Sequence, residues 1–257
     1  MFIMLTNDDG IHARGLRAVY GYLLAAGHEV RVVAPLGEQS AVGHSITILQ
    51  PLRVKEIEEP GFTGLAVTGT PTDCVKLGLT SLLDRKPDLI VSGMNAGANV
   101  GPDILYSGTV AAATEGAAMG VPSLAVSHHS FKHLDLDEYA EFAVSLISRL
   151  PWAEIPARRV MNLNLPSCPF KEFKGLCLAP QTDVPWTDWY DERTDPRGGR
   201  YWWLNGDIPL DRVQAGSDKY QMEQGYAVLT PLKFEFTDQN TLGALRRALP
   251  EAEYTGK

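Results

Sequence analysis

The sequence has few of the features that mark secreted, membrane or nucleic-acid-binding proteins. Its three cysteines, Cys74, Cys168 and Cys177, are an odd number without metal-motif spacing, which predicts free thiols in a reducing compartment. The chain does not open on a basic, apolar leader, and no apolar run approaches the roughly 18 residues of a membrane span. With 23 basic and 31 acidic residues the net charge is -8, which argues against binding to duplex nucleic acid. We therefore expect a cytoplasmic protein without a membrane partner.

The composition that is present favours an ordered, folded chain. Of 257 residues, 44% are hydrophobic and 21% are charged, which is enough apolar surface for a substantial core. A bound cation can reverse the electrostatic field at one site. The negative net charge therefore does not exclude a small phosphorylated substrate.

Strands and helices alternate along the first two thirds of the sequence. Phe2–Leu5 is predicted as a buried strand, Ala13–Ala26 as an amphipathic helix and Glu29–Ala34 as a second strand. This alternation predicts an α/β protein, with a Rossmann-like three-layer α/β/α structure and a mostly parallel sheet. Further strands are predicted at Gly64–Thr68, Pro87–Ser92, Val121–Ser127 and Val160–Leu165, edge strands or a hairpin within Ser45–Ile57, and helices at Pro71–Leu83, Ser107–Met119 and Asp135–Leu150.

The C-terminal part has a different composition. We predict one domain over residues 1–257, in which 1–180 form the α/β core and 181–257 an irregular, aromatic-rich arm. A late strand at Tyr226–Leu232 and a helix at Asn240–Ala248 are predicted within that arm. Extended or hairpin segments there are expected to serve oligomerisation, because exposed aromatic stretches are typical of interfaces.

Polar residues follow three of the predicted parallel strands. Asp8 and Asp9 come directly after the first strand, Ser40 follows the second, and Asn95 follows the strand PDLIVS. Because the carboxyl ends of parallel strands meet at one edge of a sheet, we expect these side chains to converge. Carboxylate, hydroxyl and amide oxygens suit a hard cation such as Mg²⁺ or Mn²⁺.

Each of these residues also has a purely structural interpretation. Either acid could cap the following helix or form an Asx turn, and most loop serines do no chemistry. Asn95 and Asn99 could simply supply left-handed backbone in a glycine-rich turn. The position of all of them at one edge of the sheet is what favours a metal site.

The stretch Ser107-Gly108-Thr109 opens a predicted helix after a glycine-rich loop. Free backbone amides at a helix start bind anions, and Gly108 leaves space for a phosphate, although an ordinary serine N-cap is the commoner case. Possible acid–base groups are the histidines at positions His12, His44, His128, His129 and His133, whereas Cys74 is interpreted as a core residue of a helix.

Several long motifs together resemble one family. TNDDG, GEQSAVGHSIT, TGTPTDCV, SGMNAGANVG and YSGTVAAATEG occur in the order of the SurE family, the survival-protein nucleotidases. The resemblance implies a metal-dependent phosphatase of nucleoside 5′- and often 3′-monophosphates, which forms dimers or tetramers by exchanging C-terminal segments. It places one divalent ion on Asp8, Asp9, Ser40 and Asn95. One departure is the extra glycine in the segment 195–200, DPRGGR, before YWW.

Together these observations predict hydrolysis of a phosphomonoester by a metal-activated water. Asp8 and Asp9 are the predicted catalytic residues, and Asn99, Ser107, Gly108 and Thr109 the predicted phosphate-binding residues. Direct attack by a carboxylate is the less favoured route, since a metal-bound carboxylate is a poor nucleophile. Short polyphosphates are possible further substrates. The competing hypotheses are a non-catalytic nucleotide-binding regulatory module and an exchanged-arm scaffold.

Overall fold

The computed structural model describes residues 1–130 and 136–249. Within them, one mostly parallel sheet has the strand order β3-β4-β2-β1-β5-β6-β7-β11-β8, and β9 and β10 form a separate hairpin. The strands are β1 Phe2–Thr6, β2 Glu29–Pro35, β3 Val54–Glu59, β4 Phe62–Val67, β5 Leu89–Ala96, β6 Ser123–His128, β7 Arg159–Leu165, β8 Leu176–Leu178, β9 Thr187–Thr194, β10 Arg200–Asp207 and β11 Ala227–Lys233. The α-helices are α1 Arg14–Ala25, α2 Pro71–Leu77, α3 Gly108–Ala118, α4 Leu136–Ile147, α5 Asp218–Glu223 and α6 Gln239–Ala248.

Helices cover both faces of the sheet, as the alternating sequence predicts. On one face α1 packs beside α4, and its apolar residues meet Ile3 and Leu5 of β1. On the other face α2 packs beside α3, and their residues meet Met4 of β1 and Ile90 of β5. Because successive residues of a strand point to opposite faces, both layers bury side chains of the same central strands. The predicted three-layer α/β/α fold is confirmed.

The strand β11 belongs to the main sheet, although it is far along the chain from the strands of the core. It pairs antiparallel with β7 and parallel with the three-residue strand β8. The arm predicted over 181–257 therefore contributes one strand to the sheet, while its hairpin and α6 remain outside it. No residue of α6 is buried within the described part of the chain.

Some predicted elements differ in the structure. Within Ser45–Ile57 only β3 is a strand; the residues before it are held to α2 by hydrogen bonds from Thr47 to the Asp73 carboxylate. The helix predicted to run to Leu83 changes at Gly78 into a π-helical turn. Asp135 and His133, named above, lie outside the described residues.

Other predictions hold. All three cysteines are free, and Cys74 lies on the buried face of α2, where burial raises the pKa of its thiol. No helix in the described ranges is both long enough and apolar enough to cross a bilayer.

Candidate functional site

The chain reverses its direction across the sheet between β1 and β5. From β1 the chain moves outward through β2 to β4 on one side, and then returns to place β5 against the other side of β1. Such a switch point leaves a crevice beyond the carboxyl ends of the two strands, where open α/β sheets bind ligands. Asp8 and Asp9 lie just beyond the end of β1, and Asn95 is the penultimate residue of β5.

Asp8 lies on the α3 side of the sheet. Its side chain is only 4% exposed, and its carboxylate accepts a short hydrogen bond from the Thr109 hydroxyl. The pKa of Asp8 is raised to about 6, because burial and, to a smaller extent, the charge of Asp9 raise it more than the Thr109 hydroxyl lowers it. No lysine, arginine or histidine pairs with Asp8 in the described part of the chain. Within those ranges the carboxylate is therefore a buried group without a basic side chain beside it.

The first turn of α3 is pressed against Asp8. A Cβ added to Gly108 would lie 2.8 Å from the Cβ of Asp8, so this position admits only glycine without displacement. Ser107 is the N-cap of α3, and its hydroxyl accepts from the Val110 amide at 3.1 Å. The structural interpretation of Ser107 as an N-cap is thus confirmed, and the segment 107–109 adjoins Asp8 as the phosphate hypothesis requires.

Asp9 points to the other side of the strand end. Its carboxylate accepts from the Ala96 amide at 3.0 Å, which joins the ends of β1 and β5. The β5–β6 register shifts between Ser92 and Asn95. Gly93 makes this irregularity possible, because it has a φ of +133° and a Cβ there would lie 2.1 Å from the Val126 carbonyl oxygen. Bulges of this kind redirect side chains beside functional sites.

Asp9 lines a cleft of about 380 Å³ beside α1, which we term the α1 cleft. Its other lining residues include His12, Arg14, Glu38, Ser40 and Ala96. Ser40 is exposed, and its hydroxyl donates to a Glu38 carboxylate oxygen at 2.7 Å. The Gln39 amide donates to the Asp8 carbonyl at 2.7 Å, which ties the Ser40 loop to the end of β1. The Asn95 amide donates to the Gly97 carbonyl at 2.7 Å. The structure thus brings Asp9, Ser40 and the end of β5 together, as predicted.

Asn99 belongs to a buried amide network at the ends of β6 and β7. Its side-chain amide donates to Ser127 Oγ at 2.8 Å, and its backbone amide donates to Asn164 Oδ1 at 2.7 Å. The Asn162 side chain donates to the Asn99 carbonyl at 2.9 Å. These bonds fix the loop between β5 and α3; the predicted contact of Asn99 with phosphate stays a prediction.

The histidines fall into different environments. His12 lies in the α1 cleft beside Glu59, 3.5 Å from its carboxylate, and His128 also lines that cleft, with its ring centroid 4.8 Å from that of Tyr139. His44 instead pairs with Glu115 at 2.8 Å. Burial lowers the pKa of His129, which lies 3.6 Å from Glu223. Two of the predicted acid–base candidates therefore reach the cleft.

The donor set fits a hard divalent cation. Asp9 and Ser40 line the α1 cleft, Asp8 lies at the same strand end against Thr109, and Asn95 lies at the end of β5. All four offer oxygen donors, which a hard cation prefers, although no group of three or more His, Cys, Asp or Glu side chains within the described ranges is close enough to hold a metal ion. Nearby, Asn7 Oδ1 is buried without a hydrogen-bond partner in that part of the chain. Buried polar atoms of this kind are unusual and call for a partner.

The fold and this crevice define a class, the doubly wound α/β proteins with an oxygen-rich site at the switch point. The model of the family "Survival protein SurE" matches residues 3–188. The chain belongs to the SurE family.

Its relatives are similar over nearly their whole length. A protein named 5′-nucleotidase SurE from Nitratidesulfovibrio vulgaris (strain Miyazaki F) is 61% identical over 96% of this chain and 92% of its own. One of the same name from Oleidesulfovibrio alaskensis is 62% identical over 96% and 95%. The crystal structure of the SurE protein from Aquifex aeolicus superposes with a TM-score of 0.83 at 33% identity, covering 96% of this chain and 99% of the other.

Arg14 and Glu38 also line the α1 cleft, although the sequence predicts no functional role for either residue. Glu38 stands in the same polar segment as Ser40, which was a usable signal. Arg14 looks like an ordinary helix residue in the sequence. Only the docking of α1 against the end of β5 places it beside Asp9.

Proposed function

We propose that this protein is a phosphomonoesterase that hydrolyses nucleoside 5′-monophosphates, and also 3′-monophosphates, with one bound Mg²⁺ or Mn²⁺ per subunit. The observation that carries the proposal is the buried Asp8, whose pKa is raised to about 6 and which lies next to Asp9 at the switch point. The names of the relatives support the 5′-nucleotide as substrate. The 3′ activity and the cation rest on the family resemblance and on the donor chemistry.

The residues divide the work as follows. Asp8 and Asp9 hold the cation, and the oxygens of Ser40 and Asn95 complete its protein ligands. When bound, a divalent cation lowers the pKa of a water ligand and neutralises charge on phosphoryl oxygens.

The first turn of α3 contacts Asp8 and therefore borders the proposed cation site. Amides at a helix start stabilise developing phosphoryl charge, and Thr109 holds the Asp8 carboxylate in its ionised form. In the net reaction the oxygen of water joins phosphorus, the bond from phosphorus to the ribose oxygen breaks, and that oxygen leaves with a proton.

The decisive test is Asp9→Asn, because Asp9 lies in the open cleft and its amide analogue keeps the shape. Phosphate release from AMP with Mg²⁺ or Mn²⁺ should fall by at least about a hundredfold. Asp84→Asn, which removes one exposed carboxylate elsewhere, should leave turnover unchanged. Activity of Asp9→Asn within a few-fold of wild type would contradict the site.

Metal dependence is tested separately. A chelator should stop turnover, and Mg²⁺ or Mn²⁺ should restore it. Nucleotide binding without any turnover would instead favour a non-catalytic regulatory module, and partner binding through the hairpin without turnover would favour a scaffold.

We also propose a homodimer or homotetramer. The hairpin leaves Trp189, Trp202 and Trp203 each at least half exposed, and Leu245 of α6 is 49% exposed. Light scattering of the wild type and of a Trp202→Ser, Trp203→Ser double variant should show loss of the larger species. The three cysteines are free thiols, which supports our proposal of a reducing, cytoplasmic location.

A further inference from the structure

Arg14 is a cation in the α1 cleft without a counter-charge. Its side chain is exposed, and among residues 1–130 and 136–249 no carboxylate pairs with it and no acceptor is hydrogen-bonded to it. By contrast Arg17, one turn further along α1, is bound to Glu59 at 2.8 Å and to the Ile11 carbonyl at 3.0 Å, and it stacks on Phe62. Arg14 therefore differs from its neighbour on α1 in leaving its guanidinium available within the cleft.

Arg14 also does not stabilise α1, the helix to which it belongs. It is the first residue of α1, and the preceding N-cap, Ala13, makes no side-chain capping bond. The amino end of a helix carries partial positive charge, so an arginine there is unfavourable for helix stability. Its position is better explained by the cleft that it enters than by local structure.

The α1 cleft and the first turn of α3 flank the end of β1 from the two helical layers. α1 belongs to the layer that packs on Ile3 and Leu5, whereas α3 belongs to the layer on Met4 and Ile90. Asp9 faces the first and Asp8 the second. A phosphoryl group held between the acids and the start of α3 would thus leave Arg14 free for another part of the same substrate.

We propose that Arg14 determines substrate specificity by binding a second phosphate of the substrate, so that a nucleoside bisphosphate is bound more tightly than the monophosphate. The inference rests on the proposed function. An arginine offers a planar pair of donors that matches phosphate oxygens. His12 lines the same cleft and can add a further donor, and the Glu38 carboxylate in this cleft accepts a hydrogen bond from the Ser40 hydroxyl. The cleft volume lies in the range of small-molecule sites.

The experiment compares AMP with adenosine 3′,5′-bisphosphate as substrates of wild type, Arg14→Ala and Arg14→Lys, in the presence of Mg²⁺ or Mn²⁺. Arg14→Ala should raise the KM for the bisphosphate roughly tenfold, as expected for loss of a charged hydrogen bond, and the KM for AMP by less than about twofold. Arg14→Lys should recover part of the loss, since it keeps the charge without the planar donor pair. Arg31→Ala, an exposed arginine outside the cleft, is the control and should change neither value.

Two outcomes would overturn the proposal. One is an equal change of both KM values, which would assign Arg14 to the transferred phosphate or to structure; the other is no change in either. If wild type releases no phosphate from AMP, the proposed function fails by itself. Equilibrium binding of the same two nucleotides to wild type and Arg14→Ala then decides the role of Arg14 by the same comparison.

Discussion

Replacing Asp8 by Asn should stabilise the metal-free protein at neutral pH. The side chain keeps its shape and can still accept from the Thr109 hydroxyl, but it no longer carries a charge that burial disfavours. Residues that serve function at the expense of stability behave in this way. The prediction therefore separates a carboxylate kept for a cation from one that stabilises the fold.

The magnitude follows from the pKa of Asp8, which burial raises from 3.8 to about 6. Because the folded state binds this proton more tightly than the unfolded state, the stabilisation is fully present below the unfolded pKa and is lost as the pH rises through the folded pKa. The tighter binding of this proton stabilises the folded state by about 3 kcal/mol at low pH. About 2 kcal/mol of this stabilisation is lost between about pH 4.5 and about pH 7.5. Burial also raises the pKa of Asp103 and Asp218, but these groups are common to both proteins and cancel in the difference.

The assay is urea unfolding of wild type and Asp8→Asn in a chelator at the two pH values. The difference in unfolding free energy should shift by about 2 kcal/mol in favour of Asp8→Asn at the higher pH. Asp84→Asn, at an exposed site, should follow the wild type at both. Adding Mg²⁺ or Mn²⁺ should then stabilise the wild type and not Asp8→Asn. A pH-independent difference, or an Asp8→Asn protein that is the less stable at neutral pH, would refute the reasoning.

Two further changes probe the surroundings of this carboxylate. Thr109→Val should raise the pKa of Asp8 further and weaken Mg²⁺ binding about tenfold at neutral pH, measured as the Mg²⁺ concentration for half-maximal stabilisation; Thr109→Ser should behave as wild type. Gly108→Ala should lower the unfolding free energy by about 1–3 kcal/mol and impair turnover, because its Cβ would meet Asp8 at 2.8 Å. Gly21→Ala in α1, with open space around it, should instead gain about 0.5–1 kcal/mol, and equal effects at the two glycines would contradict this account.

The elements that the sequence predicts well are those with a strong apolar period. In α1 the residues Leu16, Val19, Tyr20 and Leu23 repeat at helical spacing and are all buried, so helix and buried face are both predictable. The hairpin β9–β10 has no such signal. It is nearly all exposed and is held in part by an ion pair between Arg200 and Glu192, which leaves no alternation of apolar and polar residues.

The same reasoning explains which site residues were found. Asp8, Asp9, Ser40 and Asn95 could be proposed from the sequence because each lies at or after a predicted strand end, where parallel sheets place ligands, and their roles stay a prediction. The turn at the tip of the hairpin could not be predicted from an apolar period, because it is held by polar bonds: Asp195 accepts from the Arg197 and Gly199 amides at 2.7 Å and 2.9 Å. Arg14 depends on the docking of α1, which is a tertiary property.

The opposite orientation of Asp8 and Asp9 has a consequence for how this enzyme can be redesigned. Every side chain that touches Asp8 is enclosed by the core, so changes there disturb folding and the cation together. The wall facing Asp9 is built from exposed residues, Arg14, Glu38 and Ser40, which bear little of the packing. Libraries confined to Arg14 and Glu38 can therefore vary the substrate range while the proposed cation ligands, Ser40 among them, stay unchanged.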